Sequence, residues 1–191
     1  MSAASSPRIL IVGPSWVGDM VMAQSLFMSL KQRYPDALID VLAPAWTLPL
    51  LERMPQVRLG IAMPLGHGQF GFGARRQLGL TLRNQYDWAI VLPNSWKSAL
   101  TPFFARIPRR TGYLGELRWG LINEARRLDK IQLPMTVQRF VALGLDTDSP
   151  LPPHCSTPRL SVPASGVAAV RSKFNCPHPS PLPEGEGTSK V

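Results

Sequence analysis

Asp19 stands where an acid can act on a bound ligand. It closes the loop in the run Ile9-Leu-Ile-Val-Gly-Pro-Ser-Trp-Val-Gly-Asp-Met-Val-Met, where an apolar strand passes through a glycine-bounded turn into a helix. In an α/β protein such a junction faces the crevice beyond the strand ends, where ligands bind. A carboxylate there serves either as a general base toward a hydroxyl or as a helix cap or first-turn acid worth about 0.5–2 kcal/mol. The residues alone leave both roles open. A helix amino terminus stabilises a carboxylate and so weakens it as a base; burial or an apolar wall such as Trp16 has to oppose that.

Two familiar phosphate cradles do not fit this loop. A P-loop needs Lys followed by Ser or Thr after its last glycine, and here Asp19-Met20 follows Gly18. A dinucleotide fingerprint needs a middle glycine to admit the pyrophosphate, and Ser15 stands in that place.

Leu92-Pro-Asn-Ser-Trp-Lys-Ser-Ala forms a second strand exit with polar residues, Asn94, Ser95, Lys97 and Ser98, at the same sheet edge as Asp19. A lysine at a helix start opposes the dipole, which favours an anion-binding role for Lys97. Ser95 reads as a cap; no Ser-His-Asp arrangement accompanies it. Arg106, Arg109, Arg110 and Arg118 lie close together with Tyr113, Trp119 and three glycines. Arginine forks suit phosphate or carboxylate. Nucleic acid uses the same chemistry with aromatic stacking, but no helix-turn-helix, RRM or zinc-finger pattern is present, and no nucleic-acid partner is expected. His67, His154 and His178 lack metal-ligand spacing, so no metal is expected.

The 191 residues suffice for one core, with 45% hydrophobic and 17% charged residues. Net charge is +9, and Arg75 to Lys130 holds eleven Lys/Arg against four Asp/Glu, a +7 excess. That field favours an anionic partner: a phosphorylated glycolipid, a membrane surface, a nucleotide or a nucleic acid. Cys155 and Cys176 have no CxxC spacing, which gives neither a zinc site nor a disulfide framework and makes a reducing, cytoplasmic setting the default. The amino end reads as a first strand rather than a signal peptide. No run approaches the ~18 apolar residues of a membrane span, so any membrane contact is peripheral.

The elements that must carry these residues alternate. Strands are expected at Arg8–Val12, Leu38–Leu42, Val57–Ala62 and Trp88–Leu92, with a brief fifth at Arg110–Gly112. Helices are expected at Asp19–Arg33, Trp46–Met54, Ala74–Asn84, Lys97–Ala105, Trp119–Arg126 and Met135–Leu143. The pattern predicts an α/β fold, a Rossmann-like parallel sheet with helices on both faces, over residues 8–145. Residues 146–174 read as an irregular end or linker. Nine of the 20 prolines fall in the last 42 residues, and 175–191 reads as a proline-rich, disordered tail.

Several of these segments carry a specific resemblance. Gly13-Pro-Ser-Trp-Val-Gly-Asp-Met-Val-Met-Ala-Gln-Ser-Leu, Ala43-Pro-Ala-Trp, Met63-Pro-Leu-Gly-His-Gly, Leu92-Pro-Asn-Ser-Trp-Lys-Ser-Ala and Arg109-Arg-Thr-Gly-Tyr-Leu-Gly-Glu resemble, in order, motifs of the ADP-heptose:lipopolysaccharide heptosyltransferases of glycosyltransferase family 9, specifically the heptosyltransferase II branch. The resemblance covers roughly Arg8 to Leu145. It implies the amino-terminal half of a GT-B glycosyltransferase, which receives an inner-core lipopolysaccharide acceptor, while a carboxyl-terminal domain binds ADP-heptose. The implied reaction moves L-glycero-D-manno-heptose to a core heptose without a metal or other cofactor. Asp19 corresponds to the proposed base. Ser15, Trp16, Asn94, Ser95, Lys97, Arg109, Arg110 and Arg118 become the expected acceptor-binding residues. The implied location is the cytoplasmic face of the inner membrane, in peripheral contact. No counterpart of the second domain is read in the sequence, so ADP-heptose is expected as a partner only where such a domain is present, and the chain alone is expected to be inactive or nearly so. The alternative is a non-catalytic basic α/β module that binds anionic glycolipid or a membrane surface.

Overall fold

The computed structural model describes residues 6–65, 70–116 and 118–162. Six strands form one parallel sheet: β1 (Arg8–Val12), β2 (Leu38–Pro44), β3 (Leu59–Met63), β4 (Trp88–Val91), β5 (Arg109–Tyr113) and β6 (Glu124–Arg126). Their order is β3-β2-β1-β4-β5-β6. The chain therefore winds outward from β1 in one direction and then restarts beside β1 in the other. That reversal opens a crevice between the carboxyl ends of β1 and β4, the expected ligand position in a doubly wound sheet.

The apolar runs account for the layers. A parallel sheet covered on both faces needs strands that are apolar on both sides. In β1, Ile9 and Ile11 point to one face, against Met20, Phe27 and Leu30 of α1 (Val17–Arg33) and Phe140 and Leu143 of α5 (Thr136–Leu143). Leu10 and Val12 point to the other, with Leu82, Ala99 and Ala105. There α3 (Phe72–Thr81) packs against α4 (Leu100–Phe104). A short α2 (Leu48–Leu51) joins β2 to β3. The helices α3 and α4 touch at Gly79, where a Cβ would sit 2.6 Å from the Phe104 Cβ and 2.7 Å from the Thr101 carbonyl oxygen. Gly79→Val should therefore destabilise the domain by about 1–3 kcal/mol through overpacking, read as a lower urea midpoint.

Five expected strands are present with ends shifted by a residue or two. One expected helix is absent: Trp119–Arg126 does not coil. Gly120 takes φ +80, and Glu124–Arg126 becomes the sixth strand. The cause is tertiary. The Glu124 carboxylate accepts hydrogen bonds from Arg109 Nε (2.8 Å) and the Thr111 hydroxyl (2.6 Å), both on β5. Arg126 turns its guanidinium to the carbonyls of Ala142 and Leu145 at the end of α5. Burial raises the Glu124 carboxyl, but the bonds from Thr111 and Arg109 outweigh it and hold it below its ordinary value.

The ordered chain continues past Leu145 without helix or strand. The fully buried Gln24 amide brackets the backbone of Arg159, donating to its carbonyl (2.6 Å) and accepting from its N–H (2.9 Å). Ser25 donates to the Ser156 carbonyl at 2.7 Å. These bonds tie the irregular segment to α1, and one compact unit extends to Leu160. The expected tail 175–191, with Cys176 and His178, and the loop residue His67 lie outside the described residues.

Candidate active site

The loop after β1 is fixed from three directions. Gly13 N–H donates to the Leu42 carbonyl (2.9 Å), extending the β1–β2 ladder by one residue. Trp46 Nε1–H donates to the Ser15 carbonyl at 3.2 Å. Trp16, in extended conformation, is the N-cap of α1 and makes no side-chain capping bond. The helix thus begins two residues before Asp19, and Gly18 belongs to its first turn. Asp19 is the third helical residue, partly buried, with no hydrogen bond or ion pair to any described residue. It is a first-turn acid and not a cap. Trp16 is 71% exposed and lines the same cavity as Asp19.

The exit of β4 is held as firmly. Leu92 N–H donates to the Val12 carbonyl (3.1 Å), which keeps the two exits side by side. The Pro93 carbonyl accepts from Arg118 Nη1 (2.6 Å) and the Ser98 hydroxyl (3.1 Å). Gly115 lies so close to Asn94 that a Cβ would come within 2.6 Å of the Asn94 carbonyl oxygen. Lys97 follows in a single 3-10 turn, Trp96–Ala99, its ammonium bonded to no described residue.

Between these exits lies a cavity of about 470 Å³. Ser15, Trp16 and Asp19 line it from the β1 side, and Asn94 and Lys97 from the β4 side. Arg75 from α3, Tyr113 from β5, Thr136 and Arg139 from α5, and Trp46 add to its polar lining. Arg75 is 8% exposed and donates from Nε to the Phe70 carbonyl at 2.8 Å; burial lowers its guanidinium from the ordinary value. Arg139 is braced by the carbonyls of Leu133 and Pro134. Burial pushes the Tyr113 phenol up to about 12, and its hydroxyl donates to the Arg139 carbonyl at 2.8 Å, so it is neutral. Asp19 is the sole acid among the described lining residues, set among the cations Lys97, Arg75 and Arg139. One carboxylate among three cations is an arrangement suited to an anionic ligand.

Ser95 lines a smaller hollow alongside, shared with Ser15, Arg75, Lys97 and Ser98. It does not cap with its side chain; its carbonyl accepts the Ser98 hydroxyl at 2.5 Å instead. The other three expected arginines are not brought into the cavity. Arg109 and Arg110 begin β5, at the sheet edge opposite the cavity. Arg109 stacks on Trp88, with its guanidinium carbon 3.9 Å from the ring centroid, and pairs with Glu124. Arg110 donates to the carbonyls of Leu121 and Ile107. Arg118 is 3% exposed and bridges the Pro93 and Tyr113 carbonyls, a strut between the β4 and β5 exits. Arg118→Met should cost about 1–3 kcal/mol by removing its charge-assisted hydrogen bonds to those carbonyls, measured as a lower denaturation midpoint.

Two cavity cations were not singled out by sequence. Arg75 was visible only as part of a basic run, although its position at the start of the helix after β3 places it at the carboxyl edge. Arg139 had no such signal.

Residues 75–183 match the profile of glycosyltransferase family 9 (heptosyltransferase). The chain belongs to that family. Lipopolysaccharide heptosyltransferase 2 of Salmonella typhimurium is 53% identical over 181 residues, which are 92% of this chain and 52% of that protein. Lipooligosaccharide heptosyltransferase 2 of Haemophilus ducreyi is 54% identical over 170 residues, 87% of this chain and 49% of that one. The solved structure of Escherichia coli ADP-heptose lipopolysaccharide heptosyltransferase II superposes with a TM-score of 0.79 at 46% identity, covering 90% of this chain and 51% of that chain. The family-9 chain described here thus has the six-stranded half of a GT-B glycosyltransferase, and spans about half the length of the relatives it matches.

Proposed function

We propose that this family-9 domain is the acceptor-binding half of a lipopolysaccharide inner-core heptosyltransferase. The observation that carries the reading is Asp19, the sole carboxylate among the described lining residues of a cavity that Lys97, Arg75 and Arg139 also line, at the switch point of the sheet. The cations hold the anionic groups of the core acceptor. Asp19 takes the proton of the acceptor hydroxyl as its oxygen bonds to the anomeric carbon of the donor heptose. The bond from that carbon to the ADP phosphate oxygen breaks, and ADP leaves with the electron pair. ADP-heptose is presented by a donor-binding half of the kind that fills the rest of the relatives' length; holding both substrates in register supplies a large part of the rate. Asn94, fixed by Gly115, lies within reach of the acceptor sugar, with Ser15 and Trp16 opposite. The acceptor's lipid anchor places the protein on the cytoplasmic face of the inner membrane, in peripheral contact.

The test has two arms. The 191-residue chain should bind delipidated core acceptor in a salt-sensitive manner. Joined to the donor-binding half of the Salmonella relative, it should transfer heptose from ADP-heptose, whereas the chain by itself should not. Binding without transfer in the joined protein would instead favour a non-catalytic glycolipid-binding module.

A further inference from the structure

A second concave surface lies on the flank of the domain where α3 meets α4. It encloses about 510 Å³, and four arginines border it: Arg76, Arg83, Arg106 and Arg110. Its apolar floor is Leu80, Phe103 and Phe104. No acid is among its described lining residues, so four positive charges converge on it unneutralised. Arg76 and Arg106 are exposed, and neither donates a side-chain hydrogen bond to a described residue. The Arg110 guanidinium lies 5.8 Å from the centroid of the Phe103 ring.

A line of aromatic rings runs from this groove toward the cavity. Phe103 packs edge-on against Phe104 at 5.5 Å between centroids, and Phe104 against Phe72 at 5.5 Å. Phe72 continues to Phe70 at 6.0 Å, and Phe70 to Trp96 at 5.0 Å. Phe103, Phe70, Phe72 and Trp96 are 37–45% exposed. Trp96 directly precedes Lys97 of the cavity. Rings of this kind leave water readily at an interface, where an apolar face and a cationic rim meet headgroups and acyl chains together.

We infer that this arginine-bordered groove and its aromatic line are the surface by which the domain docks on an anionic phospholipid bilayer. The inference rests on the acceptor reading above, which requires the cavity to reach a lipid-anchored sugar. Phosphate headgroups meet Arg76, Arg83 and Arg106, and the rings enter the headgroup boundary. Seated this way, the α3–α4 flank lies on the bilayer, and the aromatic line leads along it toward Trp96 and the cavity. A single-stranded nucleic acid, which also uses arginine and aromatic rings, is the competing occupant.

The full chain is to be floated with vesicles of phosphatidylcholine alone and with phosphatidylglycerol added. Binding should require phosphatidylglycerol and fall as salt rises. The double variant Arg76→Gln/Arg106→Gln should weaken it about thirty-fold, and Arg76→Lys/Arg106→Lys should restore it. Phe103→Ser should weaken it further, and delipidated acceptor should bind the Gln variant as it binds the parent. Loss of acceptor binding with vesicle binding intact would count against the acceptor reading and not against the surface. Equal binding to both vesicle types, no effect of the Gln variant, or displacement of vesicles by oligonucleotide through these same residues would overturn the docking surface.

Discussion

Asp19→Asn should lower heptosyl transfer by about 10²–10⁴-fold, the usual worth of a positioned general base, while acceptor affinity stays within about two-fold. The two roles open to this residue differ in scale, which makes the substitution discriminating. A first-turn acid interacting with the dipole of α1 is worth about 0.3–1 kcal/mol. Asp19 has no bond to a described residue that the amide would break. The urea midpoint should therefore move little. If instead the midpoint falls in step with the rate, Asp19 is a structural acid and the assignment of the base is wrong. The assay joins the chain to the remaining half of the Salmonella relative, since the chain spans 52% of that protein.

Lys97→Met should weaken binding of the delipidated core acceptor about 10–100-fold, the range of one charge-assisted contact. The 191-residue chain itself serves for this measurement by titration calorimetry. Lys97 has no partner among described residues and sits in a 3-10 turn at the cavity rim. Its ammonium supports no internal contact, so stability should be unchanged. The variant should also show a shallower loss of affinity with salt, because one of the cations at the cavity has gone. Wild-type affinity in Lys97→Met would assign anion recognition to Arg75 and Arg139 alone.

The two residues illustrate what kind of site feature a sequence exposes. Asp19 and Lys97 each sit just beyond an apolar strand, and a parallel strand buried on both faces writes itself as an unbroken apolar run. The end of such a run marks the sheet edge, so residues beyond it are placed by counting. Arg75 and Arg139 reach the same cavity from helices whose orientation no local pattern records. Arg109, Arg110 and Arg118 show the converse. Their clustering and type suit anion recognition, yet each guanidinium is taken by an internal partner: Glu124 and the Trp88 face, the carbonyls of Leu121 and Ile107, and the carbonyls of Pro93 and Tyr113. An arginine's charge is legible in sequence; which acceptors come within its reach is not.

The sequence by itself determined the alternating elements, the parallel sheet, the loop that presents Asp19 and the motifs of family 9. These follow from apolar runs, helical spacing and turn residues, all of which act between near neighbours in the chain. Only the tertiary structure decided that Glu124–Arg126 pairs as a sixth strand, that Gln24 binds the segment around Arg159, and that two helix-borne arginines join the cavity while three clustered ones do not. The first two depend on polar groups finding partners far away in sequence, because an unpaired buried one is costly; the third depends on where the packed helices and strands carry each arginine. The choice among partners is made when the chain packs.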